Sequence, residues 1–180
     1  IGLSTGEIIV SRNSGSTWDL LSTISNRVLE IVPKISDSRQ IFALGMDSGL
    51  HQSTDSGASW QDLTKDLRGE RYQDFFTAPT STIAYLATSK GLFRSFDEGK
   101  SWEKLQLPHN ESTSVVSAAA LNPKKPSEIY AVVSQTLYKS FDNGATWQVH
   151  ALQNILNVRG MVIDPNQPNV IYMALGAVLK

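Results

Sequence analysis

The chain contains no cysteine. Disulfides and thiolate metal sites are therefore excluded, and the compartment is left open. It also lacks any apolar run near the roughly 18 residues that a membrane-crossing helix needs. Neither sign of charge dominates, the net charge being −1. There is thus no electrostatic case for nucleic acid or for an anionic membrane surface, and neither nucleic-acid binding nor membrane insertion is expected. The first residues, Ile1-Gly-Leu-Ser-Thr5, read as neither an initiator nor a signal peptide. No phosphate-binding glycine loop and no Ser/His/Asp pattern is present. His51, His109 and His150 are too unevenly placed for a metal-ligand set. No metal and no cofactor is expected. No segment carries a helical stripe, and there is no low-complexity linker or separate domain, so residues 1–180 read as one region.

Tryptophan is scarce as well, and its distribution is informative. The four tryptophans each close the same eight-residue pattern, Ser-x-(Asp/Asn)-x-Gly-x-(Ser/Thr)-Trp, at 11–18, 53–60, 95–102 and 140–147. A tight turn between antiparallel strands needs a residue that tolerates positive φ, which Gly15, Gly57, Gly99 and Gly144 supply. Two positions earlier stands a short acceptor, Asn13, Asp55, Asp97 or Asp142, able to take backbone N–H groups a few residues on. The indoles of Trp18, Trp60, Trp102 and Trp147 each bring a large apolar area, expected to plug one repeat against the next. One carboxylate per repeat cannot build a calcium cage, and Asn13 shows that charge is dispensable, so the pattern reads as a folding device.

Short apolar runs recur in phase with this motif. Val28–Val32, Phe75–Ala78, Val115–Ala120 and Met161–Ile163 read as innermost strands, with Pro33, Pro79, Pro123 and Pro165 at their ends. Ile41–Gly45, Ile83–Ala87, Ile129–Val133 and Val170–Ala174 read as second strands. Glu7–Val10, Gly49–Gln52, Gly91–Arg94 and Thr136–Lys139 read as third strands entering the motif. The outermost strand follows each Trp, with Leu21, Leu63 and Leu105 at one offset and His150 in the fourth. The charged stretch Lys65 to Gln73 reads as a solvated loop.

Four short strands per repeat of this length make a propeller pattern. The motif resembles the Asp-box, or BNR, repeat of the sialidase-like and photosystem-assembly-factor-like β-propellers. The resemblance implies an all-β fold of four-stranded antiparallel blades. It also implies three to four blades of a larger propeller of about six to eight, with a partial blade at each end. An extracytoplasmic location goes with the resemblance.

In such propellers the blade-joining loops, and those between second and third strands, share one ligand-binding face opposite the boxes. Arg27, Arg71 and Arg159 each lie at or just before an innermost strand, and Tyr72 lies beside Arg71. Guanidinium groups bind carboxylates bidentately, so these four residues are the expected binding residues for an acidic protein segment. Glu30, Glu70 and Asp74 are the neighbouring acids with which the arginines could pair instead. A glycoside hydrolase needs two opposed carboxylates, and Asp47, Asp74 and Glu111 are the candidates. The Arg-Ile-Pro motif and the Tyr–Glu pair of the sialidases are not found. Tryptophan is confined to the boxes, whereas sugar-binding loops need aromatic platforms. A non-catalytic protein-binding or assembly-factor module is the first expectation. A sialidase-like or xyloglucan-active hydrolase, with carbohydrate as ligand, is the second.

Overall fold

The computed structural model describes residues 1–24, 27–67, 69–78, 81–109, 115–153 and 157–176. Among them every regular element is a strand except one 3-10 turn, Lys65–Leu67. By its contacts the chain divides into two compact units, Ile1–Phe75 and Phe76–Lys180.

Three four-stranded sheets follow the repeat. The first runs β3 (Val28–Pro33), β4 (Ile41–Gly45), β5 (Gly49–Ser53) and β6 (Gln61–Asp62), in spatial order 3-4-5-6. The second contains β7 (Tyr72–Thr77), β8 (Ala84–Thr88), β9 (Gly91–Ser95) and β10 (Glu103–Lys104). The third contains β11 (Val116–Asn122), β12 (Lys125–Val133), β13 (Thr136–Ser140) and β14 (Gln148–Ala151). Two-stranded sheets precede and follow them: β1 (Glu7–Val10) with β2 (Asp19–Thr23), and β15 (Val158–Ile163) with β16 (Ile171–Leu175). These strands fall where the sequence places them, because β-branched and aromatic runs fit a pleated, packed surface. Strand β8 is buried throughout, as are most of β4 and the Ile129–Val133 end of β12, and Ala43, Tyr85, Leu86 and Ile129 lie at or near zero exposure.

Innermost strands β3, β11 and β15 share a register shift, at Val28/Glu30, Val116/Ala118 and Val158/Gly160. Each is a β-bulge whose extra residue is Leu29, Ser117 or Arg159. The turns leaving them repeat as well. Asn122 Oδ1 accepts the Lys124 and Lys125 amides, and Asp164 Oδ1 accepts those of Asn166 and Gln167.

In unit 1, Ile8, Ile24, Val28 and Ala43 form a cluster against which Trp60 packs. In unit 2, Trp147 packs on a cluster that includes Tyr85, Leu92 and Leu105 and meets the Tyr138 ring edge-on at 6.4 Å. Each indole therefore packs on a cluster shared by its own repeat and the preceding one. Trp18 finds no such seat and is 45% exposed. The outer-strand leucine supplies the matching contact. A Cβ on Gly57 would stand 2.5 Å from Leu21 Cδ2, and one on Gly144 would stand 2.6 Å from Leu105 Cδ1. Leucine from one repeat thus lies flat on the glycine of the following box. Arg94 adds a polar tie: it pairs with Glu103, donates to the Asn143 carbonyl and stacks 4.4 Å over Phe96.

The stretch Lys65 to Gln73 departs from the solvated loop expected. It holds the 3-10 turn, and both Glu70 and Tyr72 are buried.

Candidate functional site

The boxes form the scaffold end of each repeat. In each box Asp or Asn accepts the amide four residues on: Thr17 to Asn13, Ser59 to Asp55, Ser101 to Asp97 and Thr146 to Asp142, at 2.8–2.9 Å. The hydroxyl of that same Ser or Thr donates to the second carboxylate oxygen in the three Asp boxes. In the first box the polarity reverses, and Asn13 Nδ2 donates to Thr17 Oγ1 at 2.8 Å. An amide can therefore replace the acid when a hydroxyl faces it. These bonds favour the charged form and hold the Asp55, Asp97 and Asp142 carboxyls down at about 2, the facing hydroxyl being the largest cause.

Two features of the box were not assigned from sequence. The first serine is its hub: the Oγ of Ser11, Ser53, Ser95 and Ser140 accepts the glycine amide at 2.7 Å and donates to the box Asp or Asn. Three of these four serines are almost completely buried. Second, the residue before each glycine also has positive φ: Ser14, Ser56, Glu98 and Asn143, at 56–62°. The amides of the last three bond to Arg39, Thr82 and Ser127 carbonyls at 2.9 Å, which holds the strained residue in place. All these contacts serve the hairpin. Asp142→Asn should keep the neutral-pH melting temperature nearly unchanged, because Thr146 can face an amide as Thr17 does. It should also remove that box's acid sensitivity. The depressed carboxyl supplies stability above its ordinary 3.8 that is lost as pH falls through about 2. Melting curves of both proteins from neutral pH down to acid check this, and a variant that melts early at neutral pH would sink it.

At the other end of unit 1 the residues ahead of β3 and β7 come together on one loop. The Met46 amide donates to the Arg27 carbonyl at 2.9 Å, and the Met46 carbonyl accepts the Tyr72 amide at 3.1 Å. Arg27 and Arg71, each immediately before the buried first residue of its strand, are exposed beside this loop, as is Asp47 within it. Tyr72 does not join them. Its ring is 2% exposed and its hydroxyl donates to the Leu67 carbonyl at 2.8 Å, so it closes the 3-10 turn as a core residue.

Arg159 in unit 2 holds a different position in its repeat. The residue matching Arg27 is Asn157, whose carbonyl accepts the Gly176 amide at 2.8 Å just as Arg27 accepts Met46. Arg159 is two residues further on, in the bulge, with its side chain across Gly176. Strand β3 carries the same bulge, so Arg159 matches Leu29; the strand starts at Val158, ahead of the apolar run Met161–Ile163 that marks it in the sequence.

Asp74 and Glu30 occupy matching places on β7 and β3 and are bonded to each other. The expected pairing of Glu30 with an arginine is replaced by this carboxyl pair. Burial and the Asp74 charge push Glu30 up to about 7, against the Phe75 amide, which donates to its Oε2 at 3.3 Å. Glu111 and the triplet Asn110-Glu-Ser112 lie outside the described residues. Among the described residues no three metal-ligating side chains cluster.

The backbone is similar to several solved structures. A GH74 xyloglucanase from Xanthomonas campestris matches over 98% of this chain and 33% of its own, at 16% identity and TM-score 0.81. A GH74 enzyme of Niastella koreensis matches over 96% and 32%, at 15% identity and TM-score 0.79. YCF48 bound to a D1 peptide matches over 97% and 55%, at 20% identity and TM-score 0.66. The fold is that of a β-propeller. The chain spans about a third of the length of the GH74 propellers and just over half of that YCF48 chain. No family model and no curated protein matches it. Identity this low carries the propeller architecture and not a shared activity.

Proposed function

We propose that this propeller region is a non-catalytic binding module that takes an acidic protein segment at the loop end of unit 1. The observation that supports this most is the Met46 bridge, which sets Arg27 and Arg71 exposed on one loop end, away from the buried Tyr72. Two guanidinium groups on a backbone-bonded frame suit carboxylates, because their planar donor forks bind bidentately with little ordering cost. Among the similar folds, YCF48 is a protein solved with a bound peptide. Arg159, in its bulge, is not part of this pair.

Hydrolysis is the second reading, favoured by the GH74 likeness and by an acid, Glu30, raised to about 7. Glycosidic cleavage needs carboxyl groups about 5–9.5 Å apart, with room for substrate or water between them. Glu30 and Asp74 instead bond to each other. As a pair they lack that space, and any hydrolytic acid would need a different partner.

The test is a titration with an acidic peptide against a charge-scrambled basic control. Arg27→Ala with Arg71→Ala should weaken binding about 10–100-fold and flatten its salt dependence. Unaltered affinity in the double variant would remove this site. Release of reducing sugar from xyloglucan by the wild type, retained in the double variant, would favour hydrolysis.

A further inference from the structure

Glu30 and Asp74 stand at matching positions of two innermost strands, and both belong to unit 1. Each strand starts from a buried residue, Val28 or Tyr72, and the acid is two residues on. The two carboxyl groups meet, and the Phe75 amide donates to Glu30 Oε2 at 3.3 Å. Three polar groups therefore tie β3 to β7. A cleft of about 360 Å³, lined by Ile1, Gly2, Val28, Leu29, Glu30 and Ile31, opens beside Glu30 and gives a proton a path to solvent. Among the described residues Asp74 is the one charge that acts on Glu30; Arg27 and Arg71 precede the two strands in the chain, and the Ile1 ammonium, in the same cleft as Glu30, donates to the Ile9 carbonyl at 2.8 Å. Strand β4, paired with β3, presents only Ile41, Phe42, Ala43, Leu44 and Gly45.

We propose that the Glu30–Asp74 pair is a proton-operated latch between β3 and β7, closed while the pair holds one proton and released when that proton leaves to solvent. In the closed state the Glu30 carboxyl O–H donates to the Asp74 carboxylate, and its other oxygen accepts the Phe75 amide. Loss of the proton leaves two anions in contact in a partly dry setting, where their repulsion is poorly screened. The sign follows from the raised carboxyl: its stabilising share is complete below the ordinary 4.5 and is lost as pH rises through about 7. The latch is independent of what binds at the neighbouring arginines.

Amide hydrogen exchange of the segment 72–77, corrected for the intrinsic pH dependence of exchange, reads the latch directly. From about pH 4.5 to about pH 7, wild-type protection should fall up to tenfold per pH unit, because opening then releases one proton, and above about 7 it should level off. Glu30→Gln keeps a donor toward Asp74 and an acceptor for Phe75, and its protection should stay flat across the range. Asp74→Asn removes the neighbouring charge, so Glu30 ionises more easily, and the fall should end at a lower pH and be smaller. A flat wild-type profile would overturn the latch, and so would a Glu30→Gln profile that follows the wild type.

Discussion

Gly144→Ala is expected to cost about 2–5 kcal/mol of stability, read as a lower urea midpoint with an unchanged slope. Two independent causes add. Gly144 has φ +89°, a region that an L side chain enters at about 1–2 kcal/mol. The new methyl would also stand 2.6 Å from Leu105 Cδ1 and 3.1 Å from Cδ2, so the leucine must leave its seat, at about 1–3 kcal/mol. The first box separates the two causes. Gly15 has the same φ of +89°, but a Cβ there meets only the Trp18 ring, at 3.8 Å. Gly15→Ala should therefore show the backbone cost alone. Leu105→Ala is itself costly, at about 2–4 kcal/mol for a buried leucine. Combined with Gly144→Ala it should cost less than the two separately, by about 1 kcal/mol or more, because the collision disappears. Equal losses at Gly15 and Gly144, with an additive double variant, would show that the leucine seat contributes nothing.

These positions show where sequence reading succeeds and where it stops. The box glycines, the acceptors at Asn13, Asp55, Asp97 and Asp142, and the strand phases are legible because they are local: turn chemistry and alternation act within a few residues. The repeated leucine offset is equally visible, but its partner, the glycine of the following box, is set by packing between repeats and leaves no mark in spacing. Ser14, Ser56, Glu98 and Asn143 take positive φ although two serines and a glutamate among them carry no such preference. The carbonyls of Arg39, Thr82 and Ser127, well upstream in the chain, hold three of them there. Tyr72 passes for a loop residue because the charged stretch before it conceals a strand start. Arg159 passes for a counterpart of Arg27 because the apolar run at Met161–Ile163 hides a strand that starts at Val158, so Arg159 stands where Leu29 does. The Glu30–Asp74 pair is hidden for another reason. An acid near arginines suggests an ion pair, and only the fold reveals that two matching acids face each other.

The residue type that names the box is not the one it depends on most. Ser140→Ala should lower stability by about 1–3 kcal/mol, whereas Asp142→Asn should be nearly silent at neutral pH. Ser140 is 1% exposed, and its Oγ accepts the Gly144 amide at 2.7 Å and the Asp142 amide at 3.3 Å while donating to Asp142 Oδ1 at 2.7 Å. Alanine fits the space but leaves the Gly144 N–H without its acceptor, beneath Leu105 where water has poor access. The loss is therefore a desolvation cost and exceeds the net worth of one hydrogen bond. A drop of about 4–8 °C in melting temperature corresponds to about 2 kcal/mol in a chain of this size. Ser11 makes the same bond to Gly15 in the exposed first box, where water can replace the hydroxyl. Ser11→Ala should therefore shift the midpoint by no more than about 0.5 kcal/mol. Ser140→Thr, which keeps an oxygen at the hub, should recover most of the loss. If Ser140→Ala proves as mild as Ser11→Ala, the buried serine is not the hub of the hairpin, and the stability of the box must come from the Asp142 carboxylate after all.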